Sequence, residues 1–356
     1  MDRNTVRVLA FDGGGERGYM SLQFFKRFVQ QWGVDVTKLA EQFDVICGTS
    51  VGGMIALSLA FGLTPNQILP FFTVQGPYIF SLSSIIPSLR PNLAAKLALI
   101  ATDTPFYQSS GPTANSYGSG LLRTTLQNTF GTSTLQNLKT NVIIPTYKFN
   151  TKTYTLCSNL NYPEFTAQNE LISNVALATG SPPIYLPSLI VNNATPGRLN
   201  GEYVDGGVYQ NNPAQFGVTL GKMVKPNANR VCVLSLGTGL GELGFDPGNP
   251  ANMDARVSDT LVANPMLFNS IETIFSLFEI SSVGGQESVS KSLLLESLYT
   301  LDQVYYYRFQ PQLDPTKNTE LDNTDPDILL YYDQVAEQVF NNDNDNITNF
   351  IGHLTA

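Results

Sequence analysis

VRVLAFDGGGERG (residues 6–18) and FDVICGTSVGGMIALSLAF (residues 43–61) are the stretches whose reading decides the fold. Each opens on a short apolar run, Val6–Phe11 and Phe43–Cys47, the first ending in Asp-Gly-Gly-Gly and the second in glycine. Such runs are too short for helices and read as buried strands feeding tight turns. Behind the first, Tyr19–Trp32 places Leu22, Phe25, Phe28, Val29 and Trp32 at helical spacing. Behind the second, Val51–Phe61 is apolar all round, which predicts a helix buried on every side. Strand, glycine turn and helix recurring in this order predict an α/β fold with a mostly parallel sheet covered by helices.

Outward from this core, Leu121–Phe130 reads as a helix, and Asn141–Tyr147 and Thr151–Cys157 as strands. Glu170–Thr179 is helical until Gly180-Ser181-Pro182-Pro183 stops it. Glu202–Val204 is a short strand ending at Asp205. Arg230–Leu236 is a buried strand ending in Gly-Thr-Gly. Residues 252–300 read as mostly helical, Val304–Phe309 as a last strand and Pro326–Phe340 as a last helix. No repeat or linker interrupts the 356 residues. The expectation is a single domain over 1–340 and a polar tail over 341–356.

From Val45 to Leu89 there is no Asp, Glu, Lys or Arg. Gly62, Thr64, Pro65 and Pro70 break this run well before the roughly 20 apolar residues a membrane span needs. Thr64-Pro65-Asn66-Gln67 predicts a capped helix start, with Thr64 as N-cap and Gln67 at the third helical position. Ile68–Leu89 reads as an apolar flap, and 102–120, rich in Ser, Thr, Gly and Pro, as a loop.

Net charge is −9, with no basic stripe, so counterion release onto nucleic acid is excluded. The same charge makes any membrane contact apolar docking rather than electrostatic capture. Three widely spaced cysteines, Cys47, Cys157 and Cys232, predict buried free thiols and no zinc-type pair. No leader precedes the first strand, so the cytoplasm is the expected compartment, with peripheral membrane association.

Gly48-Thr49-Ser50-Val51-Gly52 is G-x-S-x-G between a strand and an apolar helix, the context of a nucleophile elbow. The serine hydroxyl there sits at a helix N-terminus, whose amides favour developing negative charge. The Val51 N–H is a candidate oxyanion donor. Three glycines after the first strand, Gly13, Gly14 and Gly15, expose further amides in a turn suited to an anion, and Arg17 adds a positive charge.

Gly13-x-Gly15-x-x-Gly18 also matches a dinucleotide fingerprint, with Asp35 near the ribose-binding distance. Asp12 and Glu16 would crowd a pyrophosphate, and Asp35 follows a helix end rather than a strand. A serine nucleophile needs a base. The sole histidine, His353, reads as a solvated tail residue. A desolvated carboxylate serves instead, and Asp205, before Gly206-Gly207, is the candidate, although Asp-Gly also marks ordinary turns.

This set of motifs resembles the patatin-like phospholipases, whose catalytic core is similar to that of cytosolic phospholipase A2. The likeness extends to Phe71–Phe80, Ala176–Pro187, Val233–Gly239 and Glu320–Thr324, and covers most of the chain. It implies a three-layer α/β/α sandwich and a dyad of Ser50 and Asp205. It further implies an oxyanion hole from Gly13, Gly14 and Gly15 supported by Arg17, and no metal or cofactor. The implied substrate is a phospholipid or other acyl lipid, with an activating partner left open. Acyl transfer, or a silent lipid-binding or storage role, are the alternatives. Glu16 stands where members often carry an uncharged residue; the expectation is a side chain facing solvent or pairing with Arg17.

Overall fold

The first strand, β1 (Thr5–Phe11), is buried at all seven residues, as a strand covered on both faces must be. Its side chains alternate between two separate apolar cores. Leu9 and Phe11 enter one, and Val6, Val8 and Ala10 the other. These are the two helix–sheet interfaces of a three-layer α/β/α sandwich. The computed structural model describes residues 4–79, 119–183, 186, 188–241, 267–299 and 303–355. Residues 80–89 of the flap, 102–118 of the loop and 252–266 of the expected helical region lie outside them.

Strand β2 (Val45–Gly48) pairs parallel to β1 and to β3 (Asn141–Lys148). Beyond Ile143, β3 leaves β2 and pairs antiparallel with β4 (Thr153–Cys157). β5 (Phe165–Thr166) extends that edge, and β6 (Leu189–Val191) pairs with β7 (Gly201–Asp205). β7 in turn pairs antiparallel with the distal half of β3, which sets Asp205 opposite Thr146. On the other side of β1 lie β8 (Arg230–Leu236) and β9 (Gln303–Phe309), both parallel. The sheet order is therefore β5-β4-β3-β2-β1-β8-β9, with β7 and β6 branching from β3.

One layer packs α1 (Gly18–Trp32), α2 (Val51–Phe61) and α9 (Pro326–Asn342) on the sheet face presenting Leu9 and Phe11. Between α2 and α9 in sequence come α3 (Pro65–Pro70), a π turn over Phe71–Gln75, α4 (Gly76–Ile79), α5 (Ser119–Phe130) and α6 (Ile172–Thr179). The opposite layer holds α7 (Ala214–Val224), with Ala214, Val218 and Leu220 on the second core, and α8 (Leu267–Tyr299), with Leu293. The Thr64 cap forms as expected, its N–H donating to Gln67 Oε1 at 2.9 Å.

The C-terminal segment corrects the expected polar tail. Asn344–Thr355 is helix α10, and Ile347, Phe350 and Leu354 are buried. The spacing i, i+3, i+7 puts them on one face, against α1 and β9. The polar residues that suggested a tail occupy the solvent face.

Candidate active site

The parallel strands β1, β2 and β8 all run toward one edge, and their C-terminal ends deliver Asp12, Ser50 and Thr238. Open α/β sheets bind ligands at this edge. Between β2 and α2, Ser50 takes φ 57° and ψ −130°, a region costly for any residue with a side chain. Its glycine neighbours make the turn possible. A Cβ on Gly48 would stand 2.1 Å from the carbonyl oxygen of Gly52. One on Gly52 would stand 2.4 Å from the Asp12 carbonyl. The elbow is tied from three sides. The Thr49 N–H donates to Phe11 O at 3.2 Å, Thr49 Oγ1 to Gln210 O at 2.8 Å and the Ser50 N–H to Thr179 Oγ1 at 3.0 Å.

Asp205 arrives from β7. Its N–H donates to Ser181 O at 3.0 Å, and its Oδ1 accepts the Gly207 N–H at 2.7 Å. Thr146 Oγ1, close to both Ala178 O and Val204 O, locks β3, α6 and β7 together beneath it. Asp205 is fully buried, and Oδ2 has no hydrogen-bond partner among the described residues. Burial pushes its carboxyl from 3.8 up to about 7, against the opposing pull of the Ser50 hydroxyl and the Gly207 amide. The Ser50 hydroxyl thus lies near enough to bear on the Asp205 carboxyl. No hydrogen bond of ordinary geometry yet joins them, and such bonds commonly tighten only around substrate.

The glycine turn divides its amides. The Gly13 N–H is occupied by Asn211 O at 3.2 Å, so Gly13 is not the free donor expected of it. Its missing side chain matters instead, since a Cβ there would lie 3.0 Å from Ser50 Cβ and 2.2 Å from Asn211 Oδ1. Gly14 and Gly15 donate to no described residue, and Gly15 needs its left-handed φ of 56°. The Val51 N–H, in the first turn of α2, precedes the first helical bond, Met54 N–H to Ser50 O. Arg17 Nε donates weakly to Gly14 O at 3.4 Å, so Arg17 braces the turn.

Three residues absent from the sequence reading complete the scaffold. Thr238 Oγ1 donates to Gly13 O at 2.9 Å, and Asn211 Nδ2 to the same carbonyl at 3.2 Å. Arg308 clamps Asp12 through 2.6 and 3.0 Å bonds and reaches Ser235 Oγ at 2.9 Å. The Gly-Thr-Gly after β8 and the Asn pair after Asp205 were the available signals; nothing around Arg308 marked it.

Glu16 fits neither expectation. It is fully buried, neither carboxyl oxygen has a described partner, and a Cβ on Gly76 would come within 2.5 Å of Oε1. Burial foremost, and then the nearby Asp322 charge, hold its pKa well above the usual range. His353 is also no solvated tail residue. Its ring stacks on Tyr305 at 3.7 Å, and its carbonyl accepts from Arg230 at 3.2 Å. Arg230 opens β8, so His353 lies at the strand ends opposite Ser50. Asp35 caps a 3-10 turn through Thr37, away from any strand end.

All three cysteines are buried free thiols. Among the described residues no group of three or more His, Cys, Asp or Glu could hold a metal, and no helix is long and apolar enough to cross a membrane.

Residues 9–216 match the model of the family described as patatin-like phospholipase. A cGAMP-activated phospholipase of Vibrio cholerae is 26% identical over 315 residues, covering 85% of this chain and 80% of that protein. Patatin-like protein 1 of Oryza sativa subsp. indica is 31% identical over 260 residues, covering 66% of this chain and 58% of its own. The solved structure of VipD from Legionella pneumophila aligns over 99% of this chain and 67% of that one, at TM-score 0.44 and 15% identity.

Proposed function

This chain belongs to the patatin-like phospholipase family, and we propose that it is a lipid acyl hydrolase using Ser50 as nucleophile and Asp205 as general base. One observation carries the reading. Asp205 is a buried carboxylate with an unpartnered oxygen and a pKa near 7, and the Ser50 hydroxyl bears on it from a strained elbow. A base works best when its pKa lies near the working pH. The absence of histidine from this end of the sheet leaves the carboxylate the task.

Ser50 Oγ attacks the ester carbonyl carbon while its proton passes to Asp205 Oδ2. The carbonyl π electrons move onto oxygen, and the amides of Gly14, Gly15 and Val51 receive the oxyanion. A single such donor is worth about 3 kcal/mol in characterised hydrolases. Collapse breaks the bond to the alcohol oxygen, which leaves with the proton from Asp205. Water then gives a proton to Asp205 and attacks the acyl-enzyme. Ser50 departs reprotonated and the fatty acid is released.

The family and the Vibrio relative point to phospholipids as substrates, approached through apolar contact of the flap at the exposed Val74 and Tyr78. The test is a lipid panel with wild type beside Ser50→Ala and Asp205→Asn. It is run with and without cGAMP, because the Vibrio relative is named for that activator. Loss of fatty-acid release by at least a thousandfold in both variants is expected. Retention of most activity in Asp205→Asn defeats the dyad. Appearance of an acylated lysolipid in place of free acid assigns the same dyad to acyl transfer. Failure of Ser50 to react with a fluorophosphonate assigns a silent lipid-binding role.

A further inference from the structure

We propose that the scissile acyl chain lies along one stripe of α2, from Val51 to Ser58, under a roof formed by α3 and the π turn. The link to Ser50 rests on the function proposed above. A cavity of about 100 Å³ occupies this place. Val51, Met54, Ile55 and Ser58 form its floor, spaced i, i+3, i+4 and i+7 and so sharing one face. Phe71 and Phe72 line it from above, and Thr125, Leu126 and Phe130 of α5 close the side.

Val51 lines the near end. Val51 follows Ser50 directly and carries one of the proposed oxyanion amides. A Cβ on Gly18 would come within 2.7 Å of Val51 Cγ1 and 3.5 Å of the Phe72 ring, so Gly18 keeps this end narrow. At the far end the Phe130 ring meets Phe61, the last residue of α2, at 5.4 Å in an edge-to-face contact. Protein interiors close-pack, so an apolar gap of this size forgoes dispersion contacts that a hydrocarbon ligand restores.

The lining chemistry selects the chain over the headgroup. Among the described residues no charged side chain lines the cavity. Gln67 Oε1 is engaged by the Thr64 amide. Gln75 also lines the cavity, and its buried carbonyl oxygen has no partner among the described residues, a group that repels an anionic headgroup. Seven residue steps along α2 span about 10 Å. A dry cavity of about 150 Å³ takes a six-carbon ring, so the space present takes about four carbons, and the stripe of α2 sets the direction in which a longer chain runs.

The test compares acetyl and octanoyl esters of one phenol, and separately the binding of a fluorescent medium-chain fatty acid to the Ser50→Ala protein. Each methylene taken from water is expected to raise kcat/KM by about two- to fourfold, giving an octanoyl-to-acetyl ratio of at least ten. Thr125→Trp, and independently Ser58→Phe, fill the groove. Each should lower that ratio at least tenfold and raise the fatty-acid dissociation constant at least tenfold. Fatty-acid binding unchanged in both variants overturns the proposal, as does ester hydrolysis with no chain preference. Chain binding that depends on Thr125, in a protein that hydrolyses no ester, upholds the groove and defeats the dyad.

Discussion

Arg308 of β9 holds both carboxylate oxygens of Asp12, at 3.0 and 2.6 Å, with the guanidinium and the carboxylate both out of solvent. Asp12 directly follows β1 and begins the glycine turn, so the pair fastens the turn to a strand two places across the sheet. Burial pushes the Asp12 carboxyl up, and the Arg308 charge offsets part of that push.

Removing one partner strands the other in the interior. Arg308→Ala should cost about 3–5 kcal/mol, read from the urea midpoint. Asp12→Asn with Arg308→Met should cost less than the two single changes summed, because no charge is then left unpaired. A double variant as unstable as the sum would show that the pair adds nothing beyond its separate contacts.

Thr179 ties the serine elbow to β3. Its hydroxyl accepts the Ser50 N–H at 3.0 Å and donates to Pro145 O at 2.7 Å, and it is buried. Thr179→Val keeps the shape and leaves both partners unsatisfied, which costs about 1–3 kcal/mol of stability. A loosened elbow should also lower kcat by about ten- to a hundredfold while KM changes little. Thr179→Ser retains the hydroxyl and should recover most of the rate. Equal losses in the Val and Ser variants would reduce Thr179 to a packing role.

The sheet was legible because its strands are buried on both faces. Val6–Phe11 and Arg230–Leu236 show as mainly apolar runs leading into glycine turns, and both form strands close to those limits. The elbow was legible because G-x-S-x-G has a steric cause, visible in the clashes a Cβ would meet at Gly48 and Gly52. The helix at 344–355 was hidden because only Ile347, Phe350 and Leu354 of its turns are buried, a signal diluted by the surrounding Asn and Asp. Thr179, Asn211 and Arg308 were hidden for another reason. Each acts through contacts more than a hundred residues away in sequence, which no local pattern records. Gly13 was misjudged because counting glycines does not reveal which amide the fold has already engaged.

Glu16 supplies a pH test separate from catalysis. Its folded pKa lies well above the unfolded value, from burial and then from Asp322. The charges of Glu16 and of Arg17 both bear on buried Tyr332. A raised carboxyl contributes stability that is fully present below the unfolded pKa and is lost as pH rises through the folded one. Wild type should therefore lose stability on the alkaline side more steeply than Glu16→Gln, which is neutral at every pH and nearly isosteric. Melting temperatures of the two proteins should converge near pH 4 and separate as pH rises. Parallel curves across that range would mean that Glu16 ionises elsewhere than in this buried setting.

Asp205 couples rate and stability with opposite signs in one pH window. Its carboxyl rises from 3.8 unfolded to about 7 folded, chiefly through burial. Below 7 the folded protein holds the proton, and a protonated carboxyl cannot take another from Ser50 in the proposed mechanism. The kcat/KM of wild type should thus fall about tenfold per pH unit below about 7 and level off above it. Stability runs the other way, because the folded state binds the proton more tightly than the unfolded one. It is greatest near pH 4, declines as pH climbs toward 7, and flattens beyond. Asp205→Asn removes the ionisation and should gain about 2–4 kcal/mol over wild type at pH 8, each unit of displaced pKa corresponding to about 1.4 kcal/mol. At pH 4 the two proteins should be nearly equal. A carboxylate held dry, as the proposed base role requires, is a source of instability that the rest of the core offsets. Urea unfolding of both proteins at pH 4 and 8 reads the difference, and an Asp205→Asn protein less stable than wild type at pH 8 would mean that the buried carboxylate is stabilised by a partner other than Ser50 and Gly207.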